Sequence, residues 1–202
     1  MTMLDSESAL RALYAAPGER ALRKQLDRLD EHCRRFIALS PFLVLSSGDG
    51  EGRMDASPRG GAPGFVKVVD DRTLLIPDSK GNNRLDSLAN LLRTPGVGLL
   101  FLVPGVDETL RVNGRASLST DAKHLEACAD ERRRPPLAIV VEVDEAYLHC
   151  AKALMRAKLW DPAARNDRSV LPTMNQMIKD QIGQEGEPES EAAMRARYQA
   201  DL

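Results

Sequence analysis

Arg53, Arg59, Arg84 and Arg111 lie beside glycines or at the ends of strand-length apolar runs in the stretch from Arg53 to Gly114. A guanidinium presents a planar fork of N–H donors that fits phosphate and carboxylate oxygens, so arginines gathered at a sheet edge make an anion site. Ser57, Asn82 and Asn83 add neutral hydrogen-bonding groups. Gly60, Gly61 and Gly81 let a ligand approach backbone N–H groups closely. A helix beginning near Arg84 would contribute further unsatisfied amides at its N-terminus. Taken singly, each arginine also suits an ordinary surface or ion-pair role; it is the grouping that points to an anion site.

Other chemistries find less support. No GxxxxGK[ST] occurs, and the run Gly48-Asp49-Gly50-Glu51-Gly52 reads as a hairpin turn rather than a nucleotide loop. Asp49 and Glu51 do not open an EF-hand ligand pattern. His32, His124 and His149 are far apart and suit structural or exposed positions, and neither GxSxG nor HExxH is present, so no metal site is expected. Cys33, Cys128 and Cys150 are odd in number and form no CxxC, which favours reduced thiols in a cytoplasmic protein. A cofactor that carries its own redox chemistry needs no side-chain triad; the protein binds, orients and tunes it.

These groups must be positioned by a sheet. Phe42 to Ser47, Arg53 to Ser57, Phe65 to Val69, Arg72 to Ile76, Val97 to Val103, Thr109 to Ser119 and Leu137 to Val143 read as strands, the last extending towards Cys150. Closely spaced strands without crossover helices predict an antiparallel sheet or barrel. In the Thr109 strand, Leu110, Val112 and Gly114 fall on one side and Arg111, Asn113 and Arg115 on the other. Helices are predicted over Ser6 to Ala16, Glu19 to Ile37, Arg84 to Leu92, Thr120 to Cys128, Ala151 to Leu159 and Thr173 to Ile182, and Ala192 to Tyr198 reads as a short helix or a frayed tail. The second would bury Leu22, Leu26, Leu29 and Cys33, and Asn82 or Asn83 would cap the third. Pro58 is expected to stop its strand, and Arg132-Arg133-Arg134 to form a turn or exposed crossover.

The 202 residues suffice for one substantial core. Its expected organisation is an N-terminal helical region (1–38), a strand-rich core (39–160) and a C-terminal helical extension (161–202) packed on it. A net charge of -2 and an aromatic content of 4% argue against a nucleic-acid surface. The acidic start, Met1 to Glu7, does not read as a secretory signal, and no apolar run is long enough to cross a bilayer.

The ordered segments Phe36 to Leu45, Ser57-Pro58-Arg59-Gly60, Pro63-Gly64-Phe65, Ile76-Pro77-Asp78, Gly81 to Ser87, Val97 to Phe101, Glu108 to Gly114 and His149 to Ala153, through Arg156 to Leu159-Trp160, resemble the pyridoxamine 5'-phosphate oxidase-like flavoproteins, within them a bacterial FMN-binding subgroup. The resemblance implies a mainly β, α+β split barrel, assembled as a homodimer with FMN at the subunit interface. It implies that Arg59, Asn83 and Arg84, supported by Ser57, hold the FMN phosphate or ribityl chain. The strand of Arg111 and Asn113 would approach the flavin, and Lys152 and Arg156 would come from the partner subunit. Trp160 would cover part of the ring or fill the interface core. The implied function is an FMN-dependent oxidoreductase performing two-electron transfer on a small molecule. A non-catalytic flavin- or haem-binding module is the alternative, followed by a phosphate-binding regulatory protein. The oxidases proper carry a C-terminal Arg-x-His substrate element, which Met194 to Leu202 does not contain, so pyridoxamine phosphate is not the expected substrate.

Overall fold

The computed structural model describes residues 3–79, 81, 83–130 and 134–199. Asn82, Arg132 and Arg133, all named above, lie outside the described residues. Seven strands, β1 (Phe42–Gly48), β2 (Met54–Gly60), β3 (Lys67–Val68), β4 (Thr73–Pro77), β5 (Gly96–Leu102), β6 (Thr109–Ser119) and β7 (Ala138–His149), form one sheet in the order β2-β1-β5-β6-β7-β4-β3. Every pairing is antiparallel. The helices are α1 (Glu7–Arg11), α2 (Glu19–Arg23), α3 (Glu31–Leu39), α4 (Asp86–Arg93), α5 (Ala122–Cys128), α6 (Lys152–Ala157), α7 (Met174–Ile182) and α8 (Glu191–Gln199).

The sheet is curved around its own apolar face. Leu43 and Leu45 of β1, Leu74 and Ile76 of β4, Leu99 and Phe101 of β5, and Leu110 and Val112 of β6 join one core, which Ile37 of α3 and Leu88 of α4 cover. Period-two alternation holds along β6, where Leu110, Val112, Gly114 and Ala116 are buried. A register shift between Asn113 and Gly114 leaves Asp144 of β7 as the extra residue, so the bulge lies on the facing strand and spares the β6 alternation.

The continuous helix expected over Glu19 to Ile37 is two helices. Between them the Leu26 N–H donates to the Ala146 carbonyl at 3.0 Å and the Ala146 N–H returns the bond at 2.8 Å, a strand-like bridge to β7. Leu29 N–H donates to Asp71 O, and the Asp30 side chain caps α3 by accepting from Cys33 N at 2.8 Å. Leu29, Cys33 and Ile37 remain core residues, whereas Leu22 is 59% exposed. Burial pushes the Cys33 thiol up to about 12 and leaves it an inert packing group. Pro58 does not stop β2, because β2 is a sheet edge where a missing N–H removes no ladder bond. The expected helix start at Arg84 moves to Asp86. Leu85 takes a left-handed conformation (φ 59), and no side chain caps α4, so Asn83 is not its cap.

Candidate functional site

Strand alternation carries polar side chains under the rim of the barrel. Asp55, Ser57 and Arg59 of β2 stand opposite Ser47, Leu45 and Leu43 of β1 and share their covered face, while Met54, Ala56 and Pro58 face outward. A guanidinium on that face requires acceptors. Arg59 Nη1 donates to Asp78 Oδ1 at 3.3 Å, with the two side chains only 10% and 14% exposed. Arg59 Nε is buried and has no acceptor among the described residues. A buried donor left unmatched costs about 1–3 kcal/mol, which an anionic oxygen placed there would recover.

The Arg59–Asp78 pair joins β2, at one edge of the sheet, to the residue that follows β4 near the other edge. A second link ties the same strand to α4, where Ser87 Oγ donates to Asp55 Oδ2 at 2.6 Å. Asn83 and Arg84 sit on the exposed connection from β4 to α4. Arg84 Nε donates to Asp86 Oδ2 at 2.8 Å, and that bond, the Asp86 charge and the more distant Asp55 hold its guanidinium above its ordinary value. Ser57, Arg59, Asn83 and Arg84 thus lie on neighbouring elements, with a buried donor unmatched among them. This donor set fits a phosphate group.

Burial pushes the Asp78 carboxyl upward, and attraction to Arg59 offsets this only in part. A carboxyl raised in the folded state contributes stability that is fully present below its unfolded value, 3.8, and is lost as pH rises through the folded value. Asp78→Asn, permanently neutral, is therefore expected to gain stability relative to the parent as pH rises from about 3 to about 6. Urea midpoints of both proteins across that range measure this, and a constant difference would contradict it.

Arg111 and Asn113 do not join this group. Their register partners Leu100 and Gly98 place them on the outward face of the sheet, opposite to Arg59. There they line a cleft of about 900 Å³ with Ser46, Arg53, Thr109 and His149, walled by Ala153 and Leu154 of α6. Asn113 Nδ2 donates to Glu145 Oε1, and Gln25 Nε2 donates to Glu145 Oε2. The Arg111 guanidinium lies 5.2 Å from the Tyr147 ring centroid. Lys152 and Arg156 are exposed on α6, where Arg156 Nε donates to Lys152 O. Trp160, just beyond α6, is half-buried and donates from Nε1 to Val106 O at 2.9 Å. None of these three lines the cleft. Ser46, Thr109 and His149 were not among the expected site residues, because only the pairing register shows that they meet.

Residues 29–150, more than half of the chain, match the profile of the pyridoxamine 5'-phosphate oxidase family. The chain belongs to this family. The matched segment begins at Leu29 and takes in the whole sheet, but stops short of Lys152, Arg156 and Trp160. No curated protein matches. Among solved structures, a tagged HupZ variant from Group A Streptococcus is 14% identical and superposes with a TM-score of 0.50, covering 60% of this chain and 99% of that one. A pyridoxamine 5'-phosphate oxidase homologue from Lactobacillus delbrueckii is 18% identical, covering 61% of this chain and 98% of that one, with a TM-score of 0.47. At these identities the likeness concerns the fold, which is the expected antiparallel split barrel with added helices. Among the described residues, no helix is long and apolar enough to cross a membrane.

Proposed function

We propose that this member of the pyridoxamine 5'-phosphate oxidase family is an FMN-dependent oxidoreductase acting on a small molecule other than pyridoxamine phosphate. The observation that carries the reading is the buried, unmatched Nε of Arg59, on a strand whose neighbouring loop supplies Asn83 and Arg84. Arg59 offers that donor to a phosphate oxygen already held in a partly desolvated place, where a charge-assisted bond is stronger than in water. Arg84 contributes a second cation, and Ser57 and Asn83 supply neutral hydrogen bonds to the phosphate or the ribityl chain. Bound FMN would supply two-electron redox chemistry, which the side chains themselves lack.

The homodimer belongs to the same reading. Within one protomer the Arg59 group and the cleft lie on opposite faces of the sheet, and a second copy is the way to bring one face of each kind together. Lys152, Arg156 and Trp160 on and after α6 would then reach the cofactor from the partner. The test is to purify the protein without added cofactor, denature it and identify the released small molecule. Released FMN is the expected result. Protein that neither carries FMN nor takes it up when supplied would overturn the reading.

A further inference from the structure

The outward cleft has a chemical character of its own. Its volume, about 900 Å³, suits a small organic molecule. Two arginines line it, Arg53 from the turn between β1 and β2 and Arg111 from β6, together with His149, and among the described residues no Asp or Glu does. Arg111 is half-buried and, among the described residues, its guanidinium donates no hydrogen bond and joins no ion pair; its one contact of this kind is the face of Tyr147. That stacking holds the guanidinium plane while leaving its N–H donors uncommitted. Arg53 likewise makes no side-chain hydrogen bond or ion pair among the described residues, although, after the Glu51 N–H, its own N–H and charge help to hold the Asp49 carboxyl below its ordinary value. The carboxylate nearest in register, Glu145, has both oxygens occupied by neutral amides, from Asn113 and Gln25. Apolar side chains on the outward side, Met54, Leu100, Ala153 and Leu154, make up much of the rest of the lining, while Val97 and Leu99 turn their side chains into the core and contribute backbone.

We propose that this cleft binds an organic anion, an apolar body carrying a carboxylate or phosphate, with Arg111 as the principal charge partner and Arg53 as a second at the rim. Two cations, with no acidic lining among the described residues, favour an anion over a neutral molecule of the same shape. The apolar walls favour an organic body over an inorganic ion. Gly98 keeps the floor open beside Asn113, since a Cβ there would lie 3.2 Å from Asn113 Oδ1. The inference rests on the flavin reading only in making this anion the substrate; the binding itself needs no cofactor.

The experiment is equilibrium dialysis of the full-length protein against naphthoate, naphthyl phosphate and the neutral isostere naphthamide, with FMN content read separately from visible absorbance. At least one anion is expected to bind about tenfold or more tightly than the amide, and Arg111→Gln is expected to abolish that preference. Comparison of naphthoate with naphthyl phosphate identifies the preferred head group. Arg53→Gln, on an exposed turn, is expected to weaken anion binding severalfold and provides the test if the β6 variant fails to fold. Equal binding of amide and anions, or an unchanged preference in a folded Arg111→Gln protein, would overturn the proposal. Simultaneous loss of FMN and the anion in that variant would also overturn it, by assigning Arg111 to the cofactor. Selective anion binding by a protein that takes up no FMN would leave the cleft standing and remove the flavin reading.

Discussion

Replacing Gly114 with alanine is expected to destabilise the protein by about 4 kcal/mol or more, enough to remove most of the stability of a domain this size. A Cβ at this position would overlap the Glu142 carbonyl oxygen, and would lie 3.0 Å from the Glu142 carbonyl carbon and 3.3 Å from Asp144 N. All three atoms are backbone, so no rotamer change relieves the contact. The cause is the bulge at Asp144, which presses the β7 chain against β6 at the point where the register shifts. Separating these strands would also disturb the pairing of Asn113 with Glu145 beside the cleft. Gly96→Ala is the matched control, because a Cβ there meets nothing within 4 Å. Its effect is expected to stay within about 0.5 kcal/mol. Urea denaturation of the two variants and the parent measures the contrast, and similar midpoints for all three would show that the bulge yields.

Arg59→Met is expected to raise the FMN dissociation constant about a hundredfold or more, since the variant keeps much of the aliphatic stem but loses the cation and its directed donors. It also leaves Asp78 buried without its partner, so the single variant mixes lost binding with lost stability. Combining Arg59→Met with Asp78→Asn removes the stranded carboxylate. The double variant is expected to recover stability while FMN binding remains weak. Quenching of flavin fluorescence on titration gives the affinities, and thermal melting gives the stabilities. Unchanged FMN affinity in a folded Arg59→Met protein would move the phosphate away from β2.

The parts of the fold that could be read from the chain are those where one residue's environment follows from its near neighbours. Leu110, Val112 and Gly114 alternate inward as their spacing predicts, because a strand paired on both sides leaves a side chain only two directions. Leu26 shows the opposite case. It fits the apolar stripe of a helix, yet its backbone bonds to Ala146, which is remote in sequence, and that pairing breaks the predicted helix. Leu85 carries no local sign of its left-handed conformation, since a leucine there is held by surrounding structure rather than by its own preference. The arginines could be read as candidates for an anion site, but their division between two faces could not. Placing Arg59 beside Asp78 and Arg111 beside the cleft requires the registers of β1 with β2 and of β5 with β6, which are properties of pairs of strands.

Pro58 also bears on how copies of the chain can meet. An exposed sheet edge invites another strand to add to it, and long regular edges are the usual route to uncontrolled association. Here one edge strand, β2, lacks an N–H at Pro58, and the other, β3, is only two residues long. Neither margin offers a full row of backbone groups to a newcomer. The proposed dimer would therefore be built from side chains, and its specificity would be set by shape and charge rather than by a shared ladder of amides. Such an assembly would not grow strand by strand.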